Sequence, residues 1–107
     1  MSCVLAIDLG TGGPKVGLVT AAGHVLGVEF EPVPTSLLEG GGAEQRPGDW
    51  WAAITAAARR LLATRPELRD AVSAICTTAQ WAGTVAIDRD REPLCRAIIW
   101  MDARGAP

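Results

Sequence analysis

The residues best suited to chemistry cluster near the start of the chain: Asp8, the run Gly10-Thr11-Gly12-Gly13, and Lys15, the only lysine in the sequence. Small residues at a sharp turn let backbone N–H groups approach an anion closely. A neighbouring carboxylate can orient a hydrated Mg²⁺, and a lysine supplies a cation. Two familiar phosphate loops are excluded. The dinucleotide fingerprint needs a third glycine opening a helix, but Lys15 stands there and the next residues alternate like a strand. The Walker A loop needs Gly-Lys-Ser/Thr leading into a helix, whereas Lys15 lies between Pro14 and Val16. What remains is a strand, a carboxylate, a glycine-rich turn and a second strand bearing a cation. Two readings stay open: a hairpin that holds phosphates and a metal, or a glycine-rich turn with a solvated lysine.

The elements that must position these residues follow from periodicity. CVLAIDL, residues 3–9, reads as a buried strand entering the turn. Val16, Leu18 and Thr20 share one face at period two, and Leu26, Val28 and Phe30 alternate with polar or small residues. Three strands with short turns predict an antiparallel meander. Residues 32–47 hold three prolines and Gly40-Gly41-Gly42, so a long loop is expected. Trp50, Trp51, Ile54, Ala57, Ala58, Leu61 and Leu62 then recur at three- and four-residue spacings, the pattern of a helix packed on a sheet. Pro47 and Asp49 fit its first turn, and Pro66 ends it. Residues 72–78, 84–88 and 94–100 read as further strands, with a polar turn at 89–93.

Composition bounds the rest. The chain has 107 residues, is 49% hydrophobic and 21% charged, and carries a net charge of -2. That composition describes one globular domain and excludes disorder and a collagen-like fibre. A balanced, mildly acidic surface offers no footprint for nucleic acid or an anionic membrane. No apolar run approaches the roughly 18 residues of a membrane span, and the N-terminus lacks a signal-peptide pattern, so a cytoplasmic location is the default expectation. Cys3, Cys76 and Cys95 are an odd, scattered set without C-x-x-C, expected to be reduced, buried small hydrophobes. His24 reads as structural, and Trp50 and Trp51 as packing residues in helical register.

Taken together, AIDLGTGGPKVGLV, AEQRPGDWW, AICTTAQWAGTVAID and AIIWMDARGAP resemble, in order and across essentially the whole chain, the N-terminal part of the FGGY carbohydrate kinases, especially the xylulokinase-like members. The resemblance implies an α/β fold: a partial ribonuclease-H-like ATPase domain of the actin, hexokinase and heat-shock-chaperone type, with an antiparallel meander, one main helix and further strands. Residues 1–107 would then be an N-terminal fragment of the kinase domain. The implied activity is ATP-dependent phosphorylation of a sugar or polyol hydroxyl.

Carried over by position, the resemblance makes Asp8 the Mg²⁺-orienting carboxylate, Gly10, Thr11 and Gly12 the loop near the ATP phosphates, and Lys15 a phosphate contact. Gln80 and Trp81 fall on the sugar-contacting turn, and Trp100, Asp102 and Arg104 on the segment bordering the sugar pocket. An arginine and a carboxylate there can bind hydroxyls through charge-assisted hydrogen bonds; without the resemblance Asp102 reads as a helix cap and Arg104 as a solvated charge. Glu44 and Gln45 gain weight as positioning residues. Gly12 and Gly13 stand where relatives often have Ser or Thr, which leaves backbone N–H groups alone to face phosphate. Ala79 and Ala82 replace a glycine and the histidine of xylulokinase-like members.

Phosphoryl transfer also needs a base for the hydroxyl proton. No carboxylate here matches the family's base, so no catalytic residue is assigned. The implied partners are a small sugar or polyol and the C-terminal part of the kinase or a second copy, with no nucleic acid and no membrane. An exposed sheet edge and apolar surface are expected, with low activity or stability in isolation. The alternative is a non-catalytic remnant or regulatory module that binds a partner through that edge.

Overall fold

The computed structural model describes residues 1–107. Strands β1 (Cys3–Gly10), β2 (Gly13–Thr20) and β3 (Val25–Phe30) form the expected antiparallel meander. Leu5 pairs with Leu18 and Ile7 with Val16. Directly opposed residues share a face, so Cys3, Leu5, Val16 and Leu18 make one apolar surface. Helix α1 (Pro47–Thr64) lies on that surface, burying Ala53, Ala57 and Leu61 at four-residue spacing. Gly27 on β3 permits the close packing, since a Cβ there would meet Leu61 Cδ1 at 2.9 Å.

Pro66–Ala71 is a 3₁₀ helix whose Leu68 completes the core, and β6 (Val72–Ala79) then runs parallel to β1. The sheet order is β3-β2-β1-β6. β6 is an edge strand whose residues beyond Val72 are all exposed, which matches the expected bare edge. No helix is long and apolar enough to cross a membrane.

Three expectations need correction. The loop expected over residues 32–47 contains two strands, β4 (Ser36–Leu38) and β5 (Gly42–Gln45), which join β7 (Ala97–Ile98) in a second sheet of order β4-β5-β7. Strands this short leave little periodic signal. The strand expected at 84–88 is reduced to single bridges, Thr84 with Ile98 and Ile87 with Pro93, and that expected at 94–100 shrinks to β7. Alternation selects a face but makes a strand only where a partner runs alongside, and Pro93 has no N–H to donate. Finally, only Cys3 is buried; Cys76 and Cys95 are free and exposed. Cys76 pairs with Ala6, which puts it on the sheet face turned away from α1.

Candidate active-site cleft

Parallel strands end on the same side, and ligands of α/β sheets bind beyond their carboxyl ends. β1 and β6 are such a pair, with Asp8 beside Thr78 and Leu9 beside Ala79. The Gln80 N–H donates to the Leu9 carbonyl at 2.9 Å, carrying the alignment one residue past the strands. Here lies a cleft of about 390 Å³ that gathers Asp8, Gly10, Thr11, Gln80, Trp81 and Trp100. A larger groove, about 550 Å³ between α1 and the β1–β6 side of the sheet, is lined by Leu5, Ile7, Trp51, Ile54 and Ile75 and by no charged group. The polar and charged groups line the smaller cleft.

The phosphate-type turn is the tight connection between β1 and β2, in which Gly10 pairs with Gly13. Gly13 has φ +141°, and any Cβ there would collide with the Glu31 carbonyl. Only glycine serves at that position. Gly12 faces open space: a Cβ would meet nothing within 4 Å, which leaves room for an anion against the backbone. Thr11 is held twice. Gln45 Nε2 donates to its carbonyl at 2.6 Å, and Trp100 Nε1 donates to its Oγ1 at 2.8 Å. With that oxygen accepting from the indole, the hydroxyl hydrogen is left to donate to a ligand, which corrects the expectation of backbone N–H groups alone.

Asp8 and Lys15 are register partners, both exposed, on the sheet face turned away from α1. Asp8 borders the cleft as well as that face, whereas Lys15 and Gly12 flank the cleft without lining it. No group of three or more His, Cys, Asp or Glu side chains converges anywhere. A closed protein metal site is therefore not built. A single open carboxylate fits Mg²⁺ that keeps its waters and is shared with nucleotide phosphates.

The structure does not bring Asp102 and Arg104 into the cleft. They bind each other, Arg104 donating from Nη2 and Nε to Asp102 Oδ2 at 2.7 and 2.9 Å. Ala43 N–H donates to the same oxygen at 2.8 Å. These bonds, Arg104 first, hold the Asp102 carboxyl down to about 2, and the carboxylate in turn raises the Arg104 guanidinium. Ile99 N–H to Ala43 O and Ala103 N–H to Gly41 O complete a clamp on β5 and the residue before it. Trp100 projects from this clamp toward Thr11.

Gln45, to which the resemblance lends weight as a positioning residue, has partners that the sequence did not indicate. It is 1% exposed and bonded to Thr11, Thr35, Trp50 and Gln80. The available signal was a polar residue closing a short strand just before the helix. Trp50 is a packing residue as expected, with its N–H on Gln45, while Trp51 is 69% exposed on α1.

Comparison with known proteins identifies the family and the fold. Residues 3–107 match the model of the N-terminal domain of the FGGY family of carbohydrate kinases. The chain is similar to the xylulose kinase of Bacillus subtilis, 34% identical over 108 residues, covering 100% of this chain and 21% of that protein. It is likewise similar to the xylulose kinase of Escherichia coli, 35% identical over 102 residues, covering 95% and 21%. The solved structure of a xylulose kinase from Brucella ovis superposes with a TM-score of 0.91 at 30% identity, covering 95% of this chain and 22% of that one. The chain thus spans about a fifth of the length of the relatives it matches.

Proposed function

Because the chain belongs to the FGGY family of carbohydrate kinases, with the ribonuclease-H-like fold of their N-terminal domain, we propose that it forms the phosphate turn and one sugar-facing wall of an ATP-dependent carbohydrate kinase. The observation that carries this reading is the cleft itself, where a metal-type carboxylate, a glycine turn and two indoles meet at the ends of β1 and β6.

In the proposed site Asp8 orients hydrated Mg²⁺, while Gly10, Thr11 and Gly12 turn backbone N–H groups and one hydroxyl toward the nucleotide phosphates. Lys15 adds positive charge beside the turn. Gln80 and Trp81 contact the sugar, and Trp100, held by the Asp102–Arg104 clamp, closes the wall between sugar and phosphate. Gln80 Oε1 is a buried acceptor with no partner in the chain, suited to a sugar hydroxyl. Mg²⁺ and ATP, when bound, supply charge neutralisation and the transferable phosphoryl group. Transfer makes a P–O bond to the sugar hydroxyl and breaks the one to ADP. The displaced hydroxyl proton needs a base, and Asp8 is the only carboxylate lining the cleft. We assign that base to the length of the relatives that residues 1–107 do not span. The relatives' names make a ketopentose such as xylulose the first acceptor to try.

Titration of the ¹⁵N-labelled chain with ATP and Mn²⁺ tests the reading. Paramagnetic broadening is expected first at Asp8, Gly10 and Thr11, and Asp8→Asn should remove it. Broadening spread evenly over the chain, or unchanged in Asp8→Asn, would sink the proposal.

A further inference from the structure

We infer that Gln45 is a positioning residue that couples the phosphate turn to the Gln80–Trp81 turn, so that a ligand on one side of the cleft changes affinity on the other. The ligands named rest on the kinase reading; the coupling does not.

The Gln45 amide uses its whole bonding capacity. Nε2 donates to Thr11 O at 2.6 Å and to Thr35 Oγ1 at 2.8 Å. Oε1 accepts from Trp50 Nε1 at 2.8 Å and from Gln80 Nε2 at 2.9 Å. Two donors and two lone pairs are all satisfied. The orientation is forced, because a flipped amide would set its NH₂ against the indole N–H, donor against donor. One buried side chain from the second sheet therefore joins helix α1, the loop before β4, the phosphate turn and the sugar-side turn.

Such a network does not bend gradually. At 1% exposure no solvent replaces a lost partner, so moving Gln80 leaves a buried polar atom unpaired unless the amide rotates or shifts. Either motion carries the Thr11 carbonyl, because Nε2 holds it at the shortest distance in the network. Thr11 also accepts from Trp100, so the displacement reaches the hydroxyl that faces the cleft. The turns share a backbone bond as well, Gln80 N–H to Leu9 O. That bond is unaffected by side-chain substitution, which makes the two routes separable. Coupling is the property that tells a positioning residue from one that only fills space.

The test is a double-mutant cycle read by ¹⁵N NMR on the whole chain. Gln80→Ala is expected to shift the Thr11 and Gly12 amides and the Trp100 indole N–H in the wild-type background. In Gln45→Met, which keeps an unbranched side chain but removes the amide, the same substitution should leave them unmoved. Equal shifts in both backgrounds, or none in the wild type, overturn the inference. If Gln45→Met fails to fold, Trp50→Phe reports instead: it removes one bond to Oε1 from the helix side and should move the Thr11 amide and the Gln80 side-chain amide. Shifts confined to α1 overturn the inference.

A ligand measurement then reads the coupling directly. Saturating D-xylulose is expected to change the MgATP dissociation constant about fivefold or more in the wild type, a common size for linked sites. In Gln45→Met the ratio should fall to one while each ligand still binds alone. A ratio unchanged by the substitution overturns the inference. A wild-type chain that binds neither ligand overturns the assignment of a ligand-binding phosphate turn and sugar wall to residues 1–107, and the NMR cycle decides the coupling without it.

Discussion

Residues 3–30 and residues 80–107 build facing walls of one cleft by different means. The first wall is a backbone ladder: β1 and β2 pair residue for residue from Cys3–Thr20 to Gly10–Gly13, with Leu5 and Leu18 packed beneath. The second wall has a two-residue strand, two isolated bridges and a set of side-chain tethers. Trp100 bonds Thr11, and the Asp102–Arg104 pair grips Ala43. Backbone ladders over a packed core open only with large free energies, whereas segments with few buried apolar contacts open locally. The side that would hold phosphate is therefore expected to open only with the whole fold, and the side that would meet the sugar to open locally.

The largest break in this contrast is Leu18→Ala. Leu18 is fully buried against α1, and its truncation is expected to cost about 3 kcal/mol. Both walls should then be lost together, seen as a lower urea midpoint with no separate transition for the 80–107 segment. Trp100→Phe should divide the walls. Losing the indole donor to Thr11 is expected to cost about 1 kcal/mol. Amide exchange should quicken at Ala97, Ile99 and Asp102 and stay unchanged across β1 and β2; acceleration in both regions would show that the walls are one unit.

The smallest effect appears only in acid. Asp102 titrates at about 2 when folded, against an ordinary value of 3.8, so its contribution is complete above about pH 4 and is lost as pH falls through about 2. Arg104→Ala removes the first cause of the depression and should raise the carboxyl toward its ordinary range. Carboxyl ¹³C titration checks the value. Exchange at pH 3 should then show the second wall loosened in the variant while β1–β2 amides remain protected. Equal loosening of both walls at that pH would contradict the division.

How legible each wall was in the sequence follows the same contrast. Period-two alternation at Val16 and Leu18, and three- and four-residue spacing from Trp50 to Leu62, report core faces that continuous elements then bury. Asp8, the glycine turn and Gln80–Trp81 were readable because they sit at the ends of such elements. Residues 84–88 alternate well enough to suggest a strand but find only single bridges. β4 and β5 were hidden by their brevity and by the glycines between them, of which Gly40 and Gly41 adopt φ +79° and +87°. The resemblance set Asp102 and Arg104 on the border of the sugar pocket, but their mutual bond and the grip on Ala43, fifty-nine positions away, were not legible.

By itself the sequence determined the meander and the helix, because turn glycines, alternation and helical spacing are local properties of the chain, and its four ordered motifs carried the resemblance to the family. Tertiary structure alone decided which residues meet. The parallel pairing of β1 with β6 sets Asp8 near Gln80 across seventy-two positions of chain. The closing of β5 onto β7 buries Gln45 where four separate segments can reach its amide. Local pattern fixes the direction each side chain takes from its own element; only packing between elements fixes what it finds there.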